Sequence, residues 1–171
     1  MIITETERLR LRVIRFNDAA FYLQLVNQDS WIQNINDKGL RSVEQAEQAI
    51  RDGALALQAK QGFSFYVVEL RESQTALGLC GLIKRDGLDD VDLGYAFLDE
   101  HAGQGYAVEA ASAVVNFAQQ QLQLPRLAAI TSPDNQRSQR LLAKLGFVLQ
   151  RQITMPDETR PTLLYQLQLR A

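Results

Sequence analysis

The spacing of apolar residues along this chain switches between two and about three and a half, and each switch marks an element. Arg8-Leu9-Arg10-Leu11-Arg12-Val13 alternates strictly. That predicts a half-buried strand near a sheet edge, with Leu9, Leu11 and Val13 inward and the three arginines on a solvated face. Asn17-Asp18 can cap a helix carrying Ala20, Phe21, Leu23, Leu25 and Val26. Trp31, Ile32 and Ile35 follow in a polar segment without a clear period, a loop or a broken helix. Ser42 with Gln45 three residues on fits a capping box and opens a helix to about Leu57. Gly53 inside it costs about 1 kcal/mol relative to alanine and marks a bend.

Period two then returns. Phe63–Leu70, Thr75–Lys84 and Val91–Leu98 read as three strands of an antiparallel meander, with turns at Arg71–Gln74 and Asp86-Gly87. Gly78 and Gly81 inside the second strand call for close backbone approach or a bulge. The third strand breaks at Asp99-Glu100-His101, passes through Gly103-Gln104-Gly105 and becomes a helix. Ala107, Ala110, Ala111, Val114, Phe117 and Ala118 recur along it at helical spacing. Leu124-Pro125 stops that helix, and Leu127–Thr131 is a short buried strand. Asn135–Leu145 is a further helix, with Gly146 at its C-cap and Phe147 as the contact behind it. Val148–Thr154 and Pro161–Leu169 close the chain as strands. The order β-α-α-β-β-β-α-β-α-β-β predicts an α/β (α+β) fold: a mixed, mostly antiparallel central sheet with helices on both faces.

The strand–glycine loop–helix unit is where chemistry is expected. Such a unit presents unpaired backbone N–H groups and the positive end of a helix dipole to an anion. Glycine allows the close approach, because a Cβ would hold phosphate oxygens away from the amides. A bare GxG is equally an ordinary loop, and two better-known phosphate motifs fail here. Gly103-Gln104-Gly105-Tyr106-Ala107-Val108 lacks the third small residue of a dinucleotide fingerprint, and no carboxylate follows at a strand end about 20 residues on. No Lys-Ser or Lys-Thr follows the glycines, so a Walker loop is excluded.

Composition narrows the classes further. At 171 residues, 46% hydrophobic and 22% charged, residues 1–171 are expected to form one domain with a sizeable core. A net charge of −2 argues against nucleic acid as a partner. One cysteine and one histidine cannot assemble a zinc cluster, and a lone cysteine suits a reducing cytoplasm. The N-terminal stretch has no long apolar run, so neither a signal peptide nor a membrane span is expected.

TERLRLR near the start, LGYAFLDEHAGQGYAVEA in the middle and SPDNQRSQRLLAKLGF near the end resemble the GNAT superfamily of acetyl-CoA-dependent N-acetyltransferases. The branch they are most similar to includes the ribosomal-protein N-terminal acetyltransferases. The resemblance spans almost the whole chain in the right order. It implies acetyl-CoA as co-substrate, no metal, and a primary amine as acceptor, either a protein N-terminus or a small molecule. It leaves monomer and homodimer both open. It implies that Gly103, Gln104, Gly105, Tyr106 and Ala107 bind the pyrophosphate of CoA through backbone amides. Ala102 departs from the family's Gln or Arg at the first loop position. The pantetheine arm would pair with Tyr95, Phe97 and Leu98 along the preceding strand.

The same resemblance places Asn135 against pantetheine and Ser138 near the thioester sulfur. A plain N-cap explains Asn135 equally well, and a tolerated first-turn polar residue explains Ser138. Arg140, with Arg137 and Lys144, either reaches the 3′-phosphate of CoA or forms a solvated basic face. Acyl transfer to an amine needs a neutral amine, a polarised carbonyl and a protonated leaving thiolate. Ser138 is the candidate acid. Asp157 and Glu158 are the candidate bases, although a charged turn between strands describes them as well. His101 is expected as an exposed loop residue. Two other classes compete: a non-catalytic acyl-CoA sensor of the same fold, and a generic nucleotide-binding α/β protein.

Overall fold

The computed structural model describes residues 1–170. Its strands are β1 (Ile2–Glu5), β2 (Leu9–Val13), β3 (Phe65–Leu70), β4 (Ala76–Ile83), β5 (Asp92–Phe97), β6 (Arg126–Thr131), β7 (Val148–Ile153) and β8 (Thr162–Gln168). They form one sheet in the order β1-β2-β3-β4-β5-β6-β8-β7. Every neighbouring pair is antiparallel except β5 and β6, which is the mixed sheet expected from the order of elements. The meander β3-β4-β5 is present with its boundaries trimmed by one or two residues. Added Cβ atoms at Gly78 and Gly81 would stand 2.4 Å from the Ala96 oxygen and 2.1 Å from the Ser64 oxygen, so both glycines mark close backbone approach.

Helices α1 (Ala19–Asn27), α2 (Asp29–Asn34), α3 (Val43–Ile50), α4 (Ala56–Gln61), α5 (Tyr106–Gln120) and α6 (Gln136–Lys144) cover both faces. Against α5 and α6 the sheet buries Leu9, Leu11, Tyr66, Leu82 and Leu93, packed with Ala110, Val114 and Leu142. On the opposite face Val67 and Leu79 meet Leu25, Val26, Trp31, Ala46 and Ile50 from α1–α3. Among the described residues no helix is long and apolar enough to cross a membrane.

Four local expectations are corrected. The first strand is not at the edge, because β1 pairs outside it with Ile2 opposite Arg12. β1 is only four residues long, too short to establish a period. The arginines are not a solvated face. With helices on both sides of β2, Arg12 is 6% exposed and forks onto both oxygens of Asp18 at 2.8 Å while reaching Glu69 at 3.0 Å. Arg10 pairs with Glu5. Asp18 does not cap a helix with its side chain. Burial works against its ionised form, yet Arg12 and the N–H of Arg15 hold its carboxyl below the ordinary value. Finally, the segment around Trp31 closes as the short helix α2, with Trp31 buried.

The long helix expected from Ser42 is present in three pieces. Ser42 accepts from the N–H of Gln45 as a capping box requires, but the Gln45 side chain reaches the N–H of Arg41 instead of Ser42. Gly53 lies in a π turn, Arg51–Leu55, that joins α3 to α4.

Candidate active site

β5 and β6 start as neighbours and then part. Their register holds one pair, Asp92 opposite Ala128, and the strands diverge towards Phe97 and Thr131. The ladder shows what that exposes. The N–H of Leu98 bonds the Leu77 oxygen on β4, so Ala96, Gly94 and Asp92 also turn their backbone groups to β4. The oxygen of Val91 accepts from Ala128 on β6. Leu93, Tyr95 and Phe97 therefore aim their backbone groups into the gap. Gln28, at the elbow between α1 and α2, closes its upper end by donating to the Phe97 oxygen at 2.8 Å and accepting from the N–H of Asp99 at 3.1 Å. The backbone N–H groups of Tyr95 and Phe97 face the gap, where an extended ligand can pair with them.

Beyond β5 a short 3₁₀ turn, Asp99–His101, leads into the glycine loop. His101 is half-buried there, not exposed as expected. Gly103 and Gly105 both adopt φ of +80°, and Gly105 is the N-cap of α5. A side chain at either position is strained, and at Gly103 the direction a Cβ would take is open space. Tyr106 and Ala107 open α5, so their N–H groups have no partner within the helix. This cradle of free amides at the end of a 15-residue helix fits a diphosphate group.

Tyr95 and Ser138 meet across the sheet and α6. Their hydroxyls are 2.7 Å apart, and the Tyr95 hydroxyl also lies 3.4 Å from the Ser138 carbonyl oxygen. Burial pushes the Tyr95 phenol up to about 12, against the opposing hydrogen bond from Ser138, so it stays protonated at neutral pH. Ser138 is 9% exposed. Its N–H is capped by Asn135 Oδ1 at 3.1 Å, so the Asn135 side chain is engaged as an N-cap. Arg140, like Arg137 and Lys144, is exposed on α6.

The structure separates the carboxylates. Asp157 and Glu158 are exposed in the β7–β8 turn, beside Ile35 and Asn36 that follow α2, and Asp157 takes a φ of +62°. Asp92, which periodicity alone gave as a polar strand position, is 1% exposed. One of its oxygens accepts from Arg85 at 3.2 Å and the other has no partner. Burial pushes this carboxyl up to about 6, with Arg85 pulling the other way. Strand alternation puts Asp92 on the sheet face opposite Tyr95. The only sequence signal for it is an acidic residue at a strand position buried on both faces. Cys80 is buried, and burial pushes its thiol up, away from any nucleophilic role.

Comparisons with known proteins converge on this site. The acetyltransferase (GNAT) domain profile matches residues 8–148. The "Uncharacterized N-acetyltransferase YoaA" of Bacillus subtilis (strain 168) is 32% identical over 146 residues, 85% of this chain and 82% of that one. The "Uncharacterized N-acetyltransferase p20" of Bacillus licheniformis is also 32% identical, over 83% of this chain and 80% of its own. An acetyltransferase from Agrobacterium tumefaciens str. C58 superposes with a TM-score of 0.80 at 25% identity, covering 96% of this chain and 92% of that chain. RimL, the ribosomal L7/L12 alpha-N-protein acetyltransferase, in complex with coenzyme A, shares the fold with a TM-score of 0.83 over 98% of both chains at 17% identity. The splayed strands, the amide cradle and a domain match over most of the sequence carry one conclusion: this chain belongs to the GNAT acetyltransferase family.

Proposed function

We propose that residues 1–171 act as one N-acetyltransferase domain, which moves an acetyl group from acetyl-CoA to a primary amine in a ternary complex. The observation that carries this is the gap between β5 and β6, open on one side to the Gly103–Ala107 amides and floored by the Tyr95–Ser138 hydroxyl pair. Acetyl-CoA supplies an acyl group already activated as a thioester. The protein has to place it, polarise its carbonyl, accept one proton and donate another.

Each task has a residue suited to it. The cradle of Gly103, Gln104, Gly105, Tyr106 and Ala107 receives the pyrophosphate through backbone amides. The strand Tyr95–Leu98 aligns pantetheine as a pseudo-strand, and the N–H of Phe97 polarises the acyl carbonyl. Asn135 fixes the first turn of α6 and so the position of Ser138. Arg140 is free on α6 to meet the 3′-phosphate. The Ser138 hydroxyl, backed by the protonated Tyr95, hands a proton to the departing thiolate as the C–S bond breaks. Tyr95 then re-protonates Ser138 or is itself relayed from solvent.

On the other face the buried carboxylate of Asp92 takes the proton that the amine loses as its nitrogen forms the new C–N bond. Its free oxygen and its value of about 6 suit that task near neutrality better than the exposed Asp157 and Glu158. Those two stand at the rim, where their charge can meet a cationic acceptor before it enters. Acid and base thus lie on opposite faces of the sheet with the gap between them.

Incubation with acetyl-CoA and a panel of peptide N-termini and small amines tests the proposal. It predicts free CoA thiol and an equal amount of N-acetylated amine, identified by mass spectrometry. Tight CoA binding without turnover across the panel would replace it with the non-catalytic sensor of the same fold.

A further inference from the structure

We propose that Arg8, nearly a hundred residues from the glycine loop in sequence, is a positioning residue of the phosphate cradle. This rests on the reading that the loop holds the pyrophosphate of CoA. Arg8 precedes β2 and reaches α5 across the edge of the sheet. Its Nη1 donates to the Gln104 carbonyl oxygen at 2.9 Å and its Nε to Glu109 Oε1 at 2.7 Å. The backbone N–H of Arg8 and the Thr6 hydroxyl both donate to Glu109 Oε2. The guanidinium also lies over the Tyr106 ring, 4.5 Å from its centroid. The TERLRLR stretch and the GQGYAVE stretch are therefore in physical contact.

Two consequences follow from that geometry. In a trans peptide the C=O and the next N–H point in opposite directions. Holding the Gln104 oxygen on the Arg8 side therefore turns the Gly105 N–H away from Arg8, among the amides at the mouth of α5. No polar side chain within Ala102, Gly103 or Gly105 can fix this peptide from inside the loop, so its orientation falls to Arg8. The second consequence is electrostatic. Glu109 sits in the first turn of α5, one turn from the amides meant for an anion. Burial opposes its ionised form, but the bonds from Thr6 and Arg8 hold its carboxyl below the ordinary value, so it is charged. Arg8 neutralises a carboxylate that would otherwise repel the phosphates.

A lysine at position 8 could neutralise Glu109 but could not hold the Gln104 oxygen, Glu109 and the Tyr106 ring at once. That separates geometry from charge. We expect Arg8→Ala to raise the dissociation constants of CoA and of 3′-dephospho-CoA by about tenfold in calorimetry, the scale of one lost charge-assisted hydrogen bond. Pantetheine, which lacks the pyrophosphate, should bind both proteins alike by ligand-observed NMR. Arg8→Lys should keep the wild-type melting temperature and recover only part of the affinity, and Glu109→Gln added to Arg8→Ala should recover the electrostatic part. Unchanged CoA affinity in Arg8→Ala would overturn the inference. So would an equal loss for pantetheine, or full recovery in Arg8→Lys. Wild-type protein that binds no CoA at all would remove the cofactor reading itself, a result distinct from any difference between variants.

Discussion

The two sides of the β5–β6 gap are built differently. On the donor side the site is made by backbone conformation over short stretches: two glycines at positive φ, a helix N-terminus and an Asn-capped turn that presents Ser138. On the acceptor side it is made by side chains from remote segments. Gln24 reaches Glu100, Gln28 brackets Phe97 and Asp99, Ser30 bonds Asp99 at 2.9 Å, and Arg160 reaches the Gln33 oxygen at 3.3 Å. A phosphate cradle asks little of side chains, because amides do the binding. An acceptor pocket asks for particular side chains, and those are free to differ from one relative to another. The donor is therefore recognisable in this chain and the acceptor is not.

The largest effect should come from breaking the backbone side. Gly105→Val forces a β-branched residue to a φ of +80° and sets its Cβ 3.3 Å from Arg8 Nη2. CoA binding should fall below detection in calorimetry while far-UV circular dichroism stays native. A folded variant with wild-type affinity would take the cradle out of the account.

Asp92→Asn comes next, because it removes the base that the buried face supplies. The acetylation rate should fall by about 10²–10⁴-fold, with the CoA dissociation constant unchanged. In the wild type, kcat/KM should rise with pH through about 6 as Asp92 ionises, and the variant should lose that limb. Stability should move the other way. The folded carboxyl titrates near 6 and the unfolded one near its ordinary value of 3.8. Between those values the native state binds more protons, so stability falls as pH rises across the window. Asn cannot ionise, so at pH 7 the variant should melt higher than the wild type, by a few degrees. A lower melting point with full activity would move the base elsewhere, to Asp157 or Glu158.

The acid pair should be worth less, since a CoA thiolate is a fair leaving group. Ser138→Ala should lower kcat by about tenfold, the low end for a lost acid catalyst, with KM for acetyl-CoA little changed. Tyr95→Phe should behave alike, and the double variant should lose little more than either single one, because the two act as one unit. Additive losses would mean two separate roles. The smallest effect is expected from the elbow on the acceptor side. Gln28→Ala frees the Phe97 oxygen and should raise KM for the amine a few-fold, with CoA affinity unchanged, the scale of one neutral hydrogen bond.

What was legible in the sequence follows the same division. Strands three to five, the glycine loop, the capped helix at Asn135 and the mixed sheet could be read from period and turn chemistry, because local sequence dictates them. Arg8 and Arg12 were misjudged because a strand's alternation shows which residues share a face, not whether a helix will cover it. With α1–α3 over one face and α5 at the other, both arginines found carboxylates more than 50 residues away in sequence. Asp92 was passed over for a related reason. A lone acidic residue in an alternating run reads as solvated until the neighbouring strand and loop bury it. β1 was too short to show a period, and Gln28 gave no signal, since its partners are backbone groups of another segment.

The most direct test of the central claim follows both products of one reaction. The protein is mixed with acetyl-CoA labelled in the acetyl group and with an amine found by the panel screen, and thiol and N-acetyl product are counted together. The account predicts labelled amide and free CoA in one-to-one amounts from the wild type, and neither above background from Gly105→Val. Thiol release without labelled amide, or equal product from both proteins, would contradict it.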